Sequence, residues 1–223
     1  MGGTVLHGTV DVPAPPARLQ ADWERDIATQ LGLEPGDVDT LPLARARMRW
    51  PDYPRCVQAV EDWLGTLGLP GLLPGCDTAL MACRGARYHH DGAQYAGAAF
   101  CNLFLSEDKG LDVHFPGTGQ RIPLARGTVL VFDTGQPHAV IPRGSGGFDP
   151  ADFLPELDCS QVFLTWELPI THPGVARVLG VEMDTDPATA LGLEGEQVWC
   201  DGVPSRVYAE TGQWCNLDEP PCA

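Results

Sequence analysis

Positive charge is scarce in this chain. Its 14 lysines and arginines are outnumbered by 30 aspartates and glutamates, which gives a formal net charge of −16. Such an acidic chain lacks the basic surface that binding to nucleic acid or to anionic membranes requires. No apolar run approaches the roughly 18 residues of a membrane-spanning helix, and no secretory signal is evident. We therefore expect a soluble, cytoplasmic protein that binds neither nucleic acid nor membrane.

Paired cysteine motifs are also missing. The eight cysteines are scattered, and none forms a Cys-x-x-Cys pair. In a chain of 223 residues without a secretory signal, this pattern favours free, buried thiols. Cys200, Cys215 and Cys222 lie close together in the sequence, which leaves a local zinc site or a disulfide open as an alternative.

No internal repeat is visible, which argues against solenoids, and 26 glycines with 21 prolines favour short strands and turns over long helices. Apolar residues at helical spacing nevertheless predict helices over 17–32 and 55–67. The alternating arginines Arg45, Arg47 and Arg49 fit either one face of a strand or a solvated surface. A weak edge strand is predicted over 4–12. Further strands are predicted at 78–88, 95–105, 111–115, 120–125, 128–132, 138–142 and 161–168.

This order, helices first and then a run of strands, predicts an α+β fold with a sandwich or barrel. We expect a single domain over 1–223. Within it, 1–76 would be a supporting helical and strand segment, 77–168 the β-rich core, and 169–223 an irregular extension that packs on the core.

The segment His89-His90-Asp91 carries candidate metal ligands. Alternate residues of a strand share a face, so His89 and Asp91 point together while His90 points away. One imidazole and one carboxylate are two-thirds of the facial triad that holds Fe(II) with open coordination positions. His138 follows 49 residues later, after a strand and a turn, and is the candidate third ligand.

Several motifs between about 78 and 168 resemble the Fe(II)/2-oxoglutarate-dependent dioxygenases, close to their prolyl 4-hydroxylase-like branch. They are Met81–Asp91, Phe100–Ser106, Lys109–Pro116 and Gly127–His138. The resemblance implies a double-stranded β-helix, or jelly roll, with iron bound at one end by His89, Asp91 and His138. It also implies 2-oxoglutarate and O2 as co-substrates, with ascorbate as a stimulant.

The chain departs from that family where the co-substrate is anchored. An arginine or lysine normally pairs with the distal carboxylate of 2-oxoglutarate near the start of the last core strand, and here Gln161 takes the basic position. A neutral amide cannot form a charge pair. We expect Arg143 to take over this role with help from Thr165. Arg121 and Arg87 are the next candidates, and Asn102 and Tyr95 are expected to face the co-substrate.

The resemblance implies hydroxylation of a C–H bond, with release of succinate and CO2. A small molecule such as an amino acid is the expected substrate, because the chain is short and shows no peptide-binding module. Two alternatives stay open. One is a protein or peptide hydroxylase of the prolyl hydroxylase type, and the other is a cupin-like metal-binding jelly roll without oxygenase activity.

Overall fold

The computed structural model describes residues 4–31, 34–95, 97–154, 156–181, 198–200 and 203–216. Its helices are α1 (Ala17–Asp26), α2 (Leu43–Arg49), α3 (Tyr53–Thr66), α4 (Gly92–Tyr95) and α5 (Pro173–Leu179). The first ten strands are β1 (Leu6–Thr9), β2 (Val38–Leu41), β3 (Thr78–Arg84), β4 (Ala86–His89), β5 (Ala98–Phe104), β6 (Leu111–Phe115), β7 (Gln120–Pro123), β8 (Thr128–Asp133), β9 (His138–Pro142) and β10 (Ser160–Pro169). Three more follow: β11 (Val198–Cys200), β12 (Val203–Val207) and β13 (Trp214–Asn216). In the described part of the chain, no helix is long and apolar enough to cross a bilayer.

Two antiparallel sheets form the centre of the fold. The larger has the order β1-β8-β5-β10-β3-β2 and the smaller has the order β4-β9-β6-β7. The eight strands from β3 to β10 divide four and four between the sheets, which is the jelly-roll arrangement. The predicted α+β jelly roll is therefore confirmed, with β1 and β2 extending the edges of the larger sheet.

Strand alternation separates two apolar cores. On β10, Val162, Leu164 and Trp166 point to one side and join the core formed with the helices. Phe163 points to the other side and joins the core between the two sheets. Because successive residues of a strand face opposite sides, one ten-residue strand contributes to both cores.

The N-terminal helices cover the larger sheet. Buried Leu19 and Trp23 of α1 and Val60 and Leu64 of α3 belong to the same core as the outer face of β10. The helix predicted over 55–67 is confirmed, whereas the one predicted over 17–32 is α-helical only to Asp26 and then continues as a π-helical turn.

The alternating arginines lie in a helix. They belong to α2, so a strand face is wrong for this segment. Arg45 is paired with buried Asp26, and Arg49 with buried Asp22 at 2.6 Å. Helical spacing places Arg45 and Arg49 one turn apart, on the side that meets α1.

Two further expectations need correction. The strand predicted over 78–88 divides at Gly85, whose φ of 65° turns the chain from the larger sheet into the smaller one. The C-terminal extension is not wholly irregular, since it contains α5 and the antiparallel sheet β11-β12-β13. Among the described residues after 168, the carbonyl of Ala209 accepts a hydrogen bond from the backbone N–H of Tyr88 in β4. The boundaries expected at 76 and 168 stay a prediction.

Candidate metal centre

The two candidate histidine ligands face each other across neighbouring strands. His89 is the last residue of β4 and His138 the first of β9, and the two are directly paired in the antiparallel register. Their ring centroids are 4.4 Å apart. Asp91 lies two residues beyond β4, where its backbone N–H donates to the carbonyl of Thr134 at 2.8 Å. The loop that leads into β9 thus holds the carboxylate beside both imidazoles.

The ligating atoms of these three residues converge. One ligand atom from each of His89, Asp91 and His138 lies within 4.8 Å of the others. The Nε2 atom of His89 is 3.8 Å from Oδ1 of Asp91, and Nε2 of His138 is 3.6 Å from Oδ2. These separations are too long for direct hydrogen bonds but suit three ligands around one ion.

Backbone carbonyls orient both imidazoles. The Nδ1–H of His89 donates to the carbonyl of Arg87 at 2.7 Å, and the Nδ1–H of His138 donates to the carbonyl of Gln136 at 3.0 Å. Because a carbonyl oxygen only accepts, each Nδ1 carries the ring proton when the imidazole is neutral. The lone pair of each Nε2 is then directed towards Asp91, ready for a metal.

Burial favours the metal-binding form of His138. It lowers the pKa of His138 to about 3, and the neighbouring His89 acts in the same direction. Burial also raises the pKa of Asp91, although the adjacent histidines oppose this shift. A partly buried carboxylate beside two imidazoles would be stabilised by a bound cation. Two imidazole nitrogens and one carboxylate are the donor set of the Fe(II) facial triad, so these residues fit that ion.

The three candidate ligands border a cavity of about 280 Å³ between the two sheets. The lining is mostly apolar and aromatic, and its polar residues include the three candidate ligands, Gln94, Tyr95, Asn102, Thr165 and Glu167. A larger cavity of about 460 Å³ lies outside the jelly roll, against Trp23 of α1 and Val162 on the outer face of β10. Among the described residues, the group that could hold a metal ion is His89, Asp91 and His138, and it lies at the smaller cavity.

Three of the predicted co-substrate residues line this cavity. Asn102 of β5 and Thr165 of β10 are directly paired on neighbouring strands, so their side chains lie side by side on the inner face. Both are buried, and neither Oδ1 of Asn102 nor Oγ1 of Thr165 has a hydrogen-bond partner. Tyr95 packs its ring edge-on against Phe100. The structure thus brings unsatisfied polar atoms to the cavity wall.

Arg143 lies outside the cavity, contrary to the role expected for it. Its side chain is 43% exposed, and Nε donates to Asp112 at 2.9 Å while the terminal nitrogens bind Asp108. Strand alternation explains the difference, because Arg143 directly follows β9 and points away from the face that carries His138. The guanidinium is already neutralised by two carboxylates, so the assignment of Arg143 as co-substrate anchor is corrected.

The two reserve arginines are engaged elsewhere as well. Arg121 donates to the carbonyl of Ser145 at 2.6 Å, and Arg87 binds Asp37 at 3.1 Å on the surface. Gln161 shares the inner face of β10 with Thr165 and is fully buried, with both amide atoms lacking hydrogen-bond partners. The described structure therefore offers no arginine to the cavity.

The remaining histidines lie apart from the ligand atoms. His90 points away from the cluster, and its ring is 5.1 Å from that of Trp214. His114 bonds to the Tyr88 hydroxyl, and His172 caps the start of α5. Sequence reasoning missed two polar cavity residues, Gln94 and Glu167, although the alternation of Glu167 with Thr165 along the last strand was a usable signal.

No family model matches the chain, and no curated protein matches it either. Solved structures similar to it include a prolyl-4-hydroxylase from Pseudomonas putida, 18% identical, with a TM-score of 0.43 over 75% of this chain and 93% of that one. Another is a viral collagen prolyl hydroxylase from Paramecium Bursaria Chlorella virus-1, 13% identical, with a TM-score of 0.39 over 73% and 88%. A third is a non-heme alpha ketoglutarate dependent carbocyclase from nogalamycin biosynthesis, 9% identical, with a TM-score of 0.42 over 83% and 90%.

Proposed function

We propose that this chain is an Fe(II)-dependent oxygenase that uses 2-oxoglutarate or a related 2-oxo acid to hydroxylate a C–H bond. One observation carries the proposal: His89, Asp91 and His138 bring their ligating atoms within 4.8 Å at the edge of a ligand-sized cavity. When neutral, both histidines carry their proton on Nδ1, so two imidazole lone pairs and a carboxylate are then available together.

His89, Asp91 and His138 would hold the iron as three protein ligands, a number that would leave coordination positions open. When bound, iron supplies the chemistry by which O2 and the oxo acid give a hydroxylated product, CO2 and a shortened acid, succinate from 2-oxoglutarate. The residues of this chain orient the metal, hold the oxo acid beside it and position the substrate C–H bond.

Aromatic side chains keep this site dry. Phe132 lies edge-on to His138 at 4.8 Å, and Phe115 lies 5.9 Å from the same ring. Phe100 and Phe132 both line the cavity next to the cluster. An apolar wall around the reacting atoms excludes water and thereby protects a strongly oxidising site from side reactions.

The acidic entrance favours a small substrate that carries an amine, such as an amino acid. Glu167 lines the cavity, and Asp39 lines an adjoining groove that reaches His89 and Asp91, in which the cation Arg87 is paired with Asp37. Carboxylates around an entrance attract a cationic group and repel an anionic one. A peptide hydroxylase is the second candidate, because the same groove includes Val38 and Asp39 of the edge strand β2.

The proposal is tested with purified protein, Fe(II), ascorbate and 2-oxoglutarate, by following succinate release and by mass spectrometry of amino acids and short peptides for an added oxygen. We expect succinate with the wild type, none with His138→Ala, and wild-type release with His90→Gln. His90 is the matched control because it lies between His89 and Asp91 in the sequence, yet its ring lies 5.1 Å from that of Trp214 and it is not one of the three candidate ligands.

Each alternative has its own result in this experiment. Stoichiometric metal binding without succinate or any oxygenated product would favour a cupin-like metal-binding protein. Oxygen added to peptides alone would favour the peptide hydroxylase. Equal iron affinity in wild type and His138→Ala would reject the metal centre itself.

A further inference from the structure

We propose that Asn102 and Thr165 hold the distal end of the oxo acid without any cation, so that 2-oxo acids with an uncharged distal end bind more tightly than 2-oxoglutarate. This inference rests on the proposed function, since it concerns the oxo acid that the metal centre would use. It departs from the expectation that an arginine anchors a second carboxylate.

The positions of the basic side chains are the first support. All 14 lysines and arginines of the sequence fall within the described ranges, and none of them lines the cavity. The three that sequence reasoning named are engaged outside it: Arg143 by Asp108 and Asp112, Arg87 by Asp37, and Arg121 by a backbone carbonyl. A carboxylate inside this cavity would therefore lack a basic side chain to pair with.

The acidic groups at the cavity make a second carboxylate still less favourable. Asp91 and Glu167, two residues with carboxyl side chains, both line it. A bound metal would compensate Asp91 together with the oxo-carboxylate end of the ligand, whereas a second carboxylate at the other end would have no basic side chain beside it. A buried charge without a partner is costly, whereas a neutral group with hydrogen bonds is not.

Unpartnered polar atoms mark where the distal end would lie. Asn102 pairs with Thr165 across β5 and β10, and Leu130 of β8 pairs with Asn102 on its other side. Two residues further along the same three strands, the next row of paired residues consists of Phe100, Phe132 and Glu167. This row lies next to the candidate metal ligands. Asn102 and Thr165 thus lie one row of inward-facing residues further from the candidate metal ligands. They present an amide and a hydroxyl to the cavity.

Below this level the cavity floor is apolar and neutral. Phe104 and Phe163 stack with ring centroids 5.0 Å apart, and both line the cavity. Cys83 lines it as well, and burial raises the pKa of its thiol to about 12, so the group is uncharged. Gln161 pairs with Cys83 and is itself neutral. An amide, hydroxyl or short alkyl end matches such a floor better than a carboxylate does.

Calorimetric titration of the Mn(II)-loaded protein without oxygen measures binding separately from turnover. The probes are 2-oxoglutarate, its analogue with a C5 carboxamide, and 2-oxopentanoate. We expect the carboxamide to bind at least about tenfold more tightly than 2-oxoglutarate, and the affinity of 2-oxopentanoate to lie between these two. Tighter binding of 2-oxoglutarate than of both neutral-ended acids would overturn the inference and leave the proposed function standing. If none of the three acids binds, both fall.

Variants test which residues form this subsite. Thr165→Val keeps the shape of the side chain and removes the hydroxyl, so we expect the carboxamide to bind about tenfold more weakly while Mn(II) affinity is unchanged. Thr128→Val is the matched control, because Thr128 is equally buried but lies outside the cavity and bonds to the carbonyl of Pro123.

A second variant adds a charge to the wall. Asn102→Lys supplies the missing cation, and it should tighten 2-oxoglutarate binding about tenfold relative to the carboxamide. An unchanged ratio of the two affinities in both Thr165→Val and Asn102→Lys would refute the assignment of this subsite.

Discussion

Acid should destabilise the metal-free protein through His138, and the size of the effect follows from its burial. Burial lowers the pKa of His138 from 6.5 to about 3. Below pH 6.5 the unfolded chain therefore takes up a proton at this residue that the folded protein does not. The unfolded state binds more protons, so the free energy of unfolding falls as the pH falls, down to about pH 3.

The two pKa values set the magnitude. Between about pH 7.5 and about pH 5, the His138 contribution to the free energy of unfolding decreases by about 2 kcal/mol. His138→Gln removes this titration while keeping a polar side chain of similar reach. Asp91, whose pKa is raised by burial, shifts stability in the opposite sense, so the quantity to compare is the difference between the two proteins.

Urea unfolding of the chelator-treated protein at several pH values measures this difference. We expect the free energy of unfolding of wild type to decline more steeply with acid than that of His138→Gln, by about 2 kcal/mol over the interval. His7→Gln is the control, since His7 is exposed and its replacement should leave the wild-type slope. Equal slopes for wild type and His138→Gln would refute the view that His138 is held neutral.

Three further predictions follow from named contacts. Saturating Mn(II) should raise the melting temperature of wild type, with about 2.7 kcal/mol of stabilisation at a hundredfold excess over Kd, and Asp91→Asn should abolish most of this shift in a thermal melt. Arg143→Ala should lower the free energy of unfolding in urea by about 1–2 kcal/mol, because it leaves Asp112 buried without its partner. The affinity for the oxo acid, measured by calorimetry, should not change. A large loss of that affinity would restore Arg143 as the anchor. Thiol titration should detect nearly all eight cysteines in denaturant and few in the native protein. The reason is that burial raises the pKa of Cys56 and Cys83 to about 12. Detection of fewer than about half of the cysteines in denaturant would contradict the expectation of free thiols.

Local patterns in the sequence were sufficient for the β-rich core and for the three candidate ligands. Alternation places His89 and Asp91 on one face, and a strand followed by a turn makes His138 the candidate that completes the set. Both signals depend on spacing within a few residues, which backbone geometry translates directly into direction. Asn102 and Thr165, by contrast, are expected to contact the co-substrate only through the resemblance to the 2-oxoglutarate-dependent dioxygenases, because local spacing alone does not indicate that role.

The tertiary structure determined which residues that are distant in the sequence face each other in the fold. His89 meets His138 because β4 and β9 are paired, although 49 residues separate them in the sequence. The sequence shows that Arg143 is near His138 along the chain, but the partners Asp108 and Asp112, which hold it outside, come from another part of the chain. A cavity without a basic side chain is likewise a property of the whole fold, since the position of every cation depends on long-range pairing. Residue types and their spacing therefore indicated the candidate metal ligands, whereas the charge of the ligand cavity was determined by which distant side chains the sheets bring together.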